Sequence, residues 1–150
     1  MKYDEWLDLL KRLEKTSHKE DIDKFLSEPL NENINYLLAP KIKDMIIEKF
    51  NNSINRIIKD LETIFSDENE LDLALVTFKK DIKIIYSLIN NNQLKSEDRN
   101  YLKSSIKEGI ENAYNTLYES SLDADDNGTF SSIVNNNRIK WSDNNELSGD

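Results

Sequence analysis

Leu71, Leu75, Phe78, Ile82, Ile85 and Ile89 follow one another at steps of 4, 3, 4, 3 and 4 residues. At 3.6 residues per turn, this spacing keeps large apolar side chains on one stripe of a helix, and a stripe that long must be covered. A second ladder precedes it: Ile42, Ile46, Phe50, Ile54, Ile57 or Ile58, Leu61, and Ile64 or Phe65. A third follows at Leu102, Ile106, Ile110, Ala113 and Leu117. Three consecutive stripes predict an all-α fold, an antiparallel bundle of three long helices with shorter N-terminal helices packed against it. The same seam would serve a homodimer as well as an intramolecular core, so a structural or homo-oligomerising bundle stands as an alternative.

Punctuation along the chain sets the expected boundaries. Residues 2–15 carry Trp6, Leu7, Leu9, Leu10 and Leu13, the apolar face of a first helix. Ser17-His18-Lys19-Glu20 reads as a capping box that starts a second, and Pro29 ends it by pushing the residue before it out of the helical region. Pro40, with its φ already set, is expected as the first residue of a long helix over about 41–65. Asp67-Glu68-Asn69-Glu70 is a second capping box. The Asn90-Asn91-Asn92 run stops the helix that follows, and Ser96 caps the next, with Glu97 and Asp98 in its first turn.

Charge then narrows function. The 150 residues hold 29 acids and 20 bases, a net charge of −9 with a pI near 4.7. That balance disfavours direct binding of nucleic-acid phosphates, which needs clustered Lys and Arg, and favours a basic partner. With zero Cys there are no disulfides, no thiol chemistry and no Cys-ligated zinc. His18, the single histidine, falls in the polar Ser17 turn and is expected to be exposed. A membrane span needs about 18 apolar residues in a row, which the sequence lacks. The start, Met-Lys-Tyr-Asp-Glu-Trp, places acids where a signal peptide carries a basic segment, and the expectation is a cytoplasmic chain.

Composition shifts at residue 123, which divides an expected helical bundle over 1–122 from an acidic, turn-rich arm and tail over 123–150. The arm carries 6 acids against Arg138 and Lys140. Asp123, Asp125, Asp126 and Trp141 are its candidate partner-binding residues, three acids to attract a basic surface and one aromatic to anchor it. The runs Thr129–Val134 and Arg138–Trp141 flank an Asn triplet and suggest a short hairpin or an irregular arm. Asp123 through Phe130 also reproduces the first half of an EF-hand loop, with oxygen ligands at positions 1, 3 and 5 and Gly at 6. Position 12 is Val134 where calcium needs a bidentate carboxylate, so neither calcium nor any other cofactor is expected.

Around the ladders there is no Gly-rich phosphate loop, no nucleophile elbow and no Glu-x-x-His pair, and the chain reads as non-catalytic. Its general character, acidic, Cys-free and helical along its whole length, resembles the small inhibitor and immunity proteins that neutralise a basic toxin or nuclease. That resemblance implies charge-steered docking on a basic protein. A nucleic-acid mimic that blocks a DNA-binding protein is a further alternative, although its acids should then stand in rows rather than between lysines.

Overall fold

The structure is a computed structural model that describes residues 1–29, 33–124, 127–141 and 147–148, with backbone alone for 140, 141, 147 and 148. Seven helices are present among the described residues: α1 (Tyr3–Lys15), α2 (Lys19–Ser27), α3 (Asn35–Ile58), α4 (Leu61–Ile64), α5 (Glu68–Ile89), α6 (Ser96–Ala124) and α7 (Thr129–Asn136). The fold is all-α. After α7, Lys140–Trp141 and Leu147–Ser148 form a two-residue antiparallel pairing, with Trp141 opposite Leu147.

All six positions of the α5 ladder are buried, and so are all five of the α6 ladder. The α3 ladder is followed less strictly. Ser53 and Ile57 take the inner face while Ile54 is half-buried, because the Ser53 hydroxyl is held inward by a bond to Asp81.

Helix boundaries depart from the sequence expectation at several places. α3 begins at Asn35, so Pro40 lies inside it rather than at its start. Leu38, fully buried one turn before Ile42, extends the apolar stripe backwards and gives these extra residues a reason to coil. Pro40 removes the donor that the Tyr36 carbonyl would otherwise have within the helix. The long helix expected to run to 65 is broken at Lys59–Asp60. Asp60 caps α4 by accepting from the Thr63 amide at 3.3 Å and the Thr63 hydroxyl at 2.8 Å, a local bond that competes with helix continuation. At α2, His18 is the N-cap and no side-chain hydrogen bond caps the helix, so the Ser17 box does not form. Thr129–Val134, expected as one arm of a hairpin, is the body of α7. Ser96, expected to cap α6, is instead its first residue, and its hydroxyl accepts from Arg99 Nη2 at 3.2 Å. At α5 and before Pro29 the punctuation holds. Asp67 Oδ1 accepts from the Glu70 amide at 2.8 Å at the start of α5, and Glu28, before Pro29, is extended at φ −68°, ψ 129°.

The chain divides into two compact units. Unit 1 comprises Met1–Asn51 and Ile84–Ser104, and unit 2 comprises Asn52–Lys83 and Ser105–Asp150, so α3, α5 and α6 contribute to both. In unit 1, Trp6 of α1 meets Phe25 of α2 edge to face at 6.0 Å between ring centroids. The buried Lys49 ammonium donates to the Leu13 and Thr16 carbonyls, both at 2.7 Å, which joins α3 to the C-terminal end of α1. In unit 2, Phe78 of α5 packs edge to face on Tyr114 of α6 at 5.9 Å. The Tyr114 hydroxyl donates to the Asn137 carbonyl at 3.0 Å, and Val134 and Ile139 are buried, so α7 and the chain as far as Ile139 are built into this unit.

Candidate protein-binding surface

The two units differ sharply in charge. Unit 1 holds 13 acidic and 12 basic side chains, net −1, whereas unit 2 holds 16 and 8, net −8. Nearly all of the protein's net charge therefore sits in one half of its residues.

Within unit 2 the densest stretch is residues 60–72, with Asp60, Glu62, Asp67, Glu68, Glu70 and Asp72 and no Lys or Arg; all six are exposed. Two of them have local structural work at helix N-termini, where an anion is favoured by the unpaired amides. A second stretch, 108–137, likewise has no Lys or Arg and carries Glu108, Glu111, Glu119, Asp123, Asp125 and Asp126. The two stretches are tied together: Phe65, in the turn before α5, meets Phe130 at the start of α7 edge to face at 5.7 Å.

A cleft of about 170 Å³ opens beside the acidic run. Ile57, Ile64 and Phe78 form its apolar depth, and Leu73, Ala74 and Thr77 line it from α5. Leu73 is 62% exposed and Val76, three residues on, 48%. Large apolar side chains left in water on the same helix face as a cleft are the composition of a contact surface. The polar lining is organised. Asp81 Oδ2 accepts from Ser53 Oγ at 3.2 Å and Arg56 Nη2 at 3.0 Å, and Arg56 Nη2 also donates to Ser53 Oγ at 3.1 Å. Asp81 of α5 is thereby tied to Ser53 and Arg56 of α3.

Of the residues singled out from sequence, Asp123 stands exposed in the last turn of α6, next to Leu122, also exposed. Asp125 and Asp126 lie outside the described residues, as does the Trp141 side chain, whose backbone pairs with Leu147. Positions 3 and 4 of the half EF-hand, Asp125 and Asp126, are among these undescribed residues. Asn127 Oδ1 is occupied by the Thr129 amide at 3.1 Å and hydroxyl at 2.7 Å, and positions 7 to 12 of the motif are helical in α7. Gly128 makes the reversal, at φ 81°, which an L side chain adopts only under strain. His18 is exposed in unit 1.

Tyr114 is part of the unit 2 core. Burial pushes its phenol up to about 12, with the Ile139 amide and the Arg138 guanidinium pulling the other way. Arg138 lies over the ring at 5.7 Å and bonds to Asn135 and Asn115.

The division of charge at residue 123 hides residues 60–72, because the basic residues around them dilute the run within 1–122. A 13-residue charge window would have found a run of six acids with no base. The cleft had no such signal, since it depends on the break between α3 and α4.

Compared with protein-family models, curated proteins and solved structures, the chain matches none of them. Among the described residues, no helix is long and apolar enough to cross a membrane.

Proposed function

We propose that this chain is a non-catalytic, cytoplasmic protein-binding module of the inhibitor or immunity type, and that its partner is a basic protein. The observation that carries the reading is the concentration of charge, net −8 in unit 2 against −1 in unit 1. Charge of one sign gathered on part of a surface speeds and orients the approach of an oppositely charged partner. The contact belongs on unit 2, with residues 60–72 as its densest part and Asp123, Asp125, Asp126 and Trp141 contributing from the C-terminal segment. The antiparallel arrangement of the three long helices, read from their stripes, is part of the same proposal, since rigid helices hold such a surface in shape.

Selection from a random displayed peptide library on the immobilised full chain tests it. Enriched sequences should be net basic, and their binding should weaken steeply with salt. Enrichment of neutral or acidic sequences would overturn the reading.

A further inference from the structure

We infer that the cleft between the end of α3, α4 and the first half of α5 receives one large apolar side chain of a basic partner segment, with the neighbouring acids holding the Lys or Arg residues on either side. This inference rests on the basic-partner reading above and adds what docks, and where.

Size comes first. A protein cavity of about 150 Å³ lined by apolar side chains accommodates a benzene-sized molecule, and the cleft here, at about 170 Å³, matches one phenyl or leucine-sized side chain. Chemistry comes second. Ile57, Ile64, Ala74 and Phe78 offer apolar contact, while exposed Leu73 leaves part of the wall facing water until something covers it. Charge chooses the occupant. Glu70 lines the cleft together with Arg56 and Asp81, which pair with each other and leave Glu70 as the uncompensated charge of the lining; Glu68 and Asp72 are exposed on the same helix, and Glu62 is exposed on α4. A partner segment with acids beside its apolar residue would be repelled, and a second copy of this chain would bring the same net −8 unit against itself. A hot residue in a dry pocket ringed by complementary charges is the usual anatomy of a protein contact.

The test measures binding of two peptides to the intact chain by fluorescence polarisation: an oligolysine with one central phenylalanine, and the same peptide with alanine there. The phenylalanine peptide should bind more tightly by about tenfold, the gain expected from burying one such side chain. Thr77→Phe plugs the cleft from an exposed position of α5 and should remove that difference while leaving the alanine peptide unaffected. If Thr77→Phe fails to fold by circular dichroism, Leu73→Ser, also at an exposed position, should narrow the difference by removing one wall. Equal binding of the two peptides would overturn the cleft inference and leave the basic-partner reading standing. Binding of neither would overturn both. A chain that sediments as a dimer, dissociated by Thr77→Phe, would show that a second copy occupies the cleft and would overturn the inference as well.

Discussion

The two units balance charge differently. In unit 1 acids and bases nearly cancel, and three of its cations fasten the chain while most of its charged side chains stay exposed. Lys49 is 6% exposed and clamps carbonyls at the end of α1; Arg99 donates to the Asn91 and Leu94 carbonyls at 3.2 and 2.9 Å; Lys43 reaches Asp98 at 3.3 Å. Cations answer the carbonyl groups that helix ends and loops leave unpaired, and the unit finishes near neutrality. In unit 2 acids outnumber bases two to one, the six at residues 60–72 are exposed, and Asp60 and Asp67 among them hold amides at helix N-termini. The difference teaches that a net charge of −9 is not evenly shared: acids and bases nearly cancel in one unit, and acids stand in twofold excess in the other.

If that contrast concerns surface alone, both cores should be equally intolerant of damage. Deleting residues 123–150 should have the largest effect, because it strips Val134 and Ile139 from unit 2, each worth roughly 1.5–3 kcal/mol when fully buried. Thermal unfolding checks this, and an unchanged melting temperature would show that the C-terminal segment is an appendage. Next, Trp6→Ala in unit 1 and Phe78→Ala in unit 2 should each destabilise by about 3–5 kcal/mol in chemical denaturation. A large loss at one and a negligible loss at the other would mean that one unit is not a folded core.

Capping separates the units more finely. Asp67→Ala should cost about 1 kcal/mol by leaving the Glu70 amide unanswered at the start of α5. Ser17→Ala should cost close to nothing, since α2 has no side-chain cap. Tyr114 sharpens the account of unit 2 through pH. Its folded pKa of about 12 exceeds the ordinary 10.0, so the native state keeps a proton that the unfolded state has released. The stabilisation is whole below pH 10 and is lost as pH rises towards 12, with a slope of up to about 1.4 kcal/mol per pH unit. Tyr114→Phe should unfold with a flatter profile over that window, and identical profiles would place the phenol in water. The smallest expected effect is electrostatic. Neutralising Asp72, Glu119 and Asp123 together should raise the melting temperature slightly by relieving self-repulsion in unit 2. Neutralising Asp23, Asp44 and Glu48 in unit 1 should leave it level or lower it.

Much of the fold could be read from spacing alone, because apolar residues at helical intervals leave few alternatives. Every rung at 71–89 and 102–117 is buried. What escaped was decided by single polar contacts. Asp60 breaks α3 through its bond to Thr63, Ser53 enters the core because Asp81 receives it, and Thr129–Asn136 coils because Gly128 turns the chain and Asn127 takes the first amide. Periodicity does not register such contacts. The candidate site divided along the same line. The acidity of the C-terminal segment was plain from composition, while the cleft needs the α3–α4 break to exist.

The central claim, that a basic partner is drawn to unit 2, is tested most directly by titrating the isotope-labelled full chain with oligolysine and following backbone amide shifts by NMR. The account predicts perturbations over residues 52–83 and 105–141, strongest at 60–72, that disappear at 1 M salt, where the screening length is about 3 Å. Perturbations spread evenly over both units, or confined to residues 1–51 and 84–104, would contradict it.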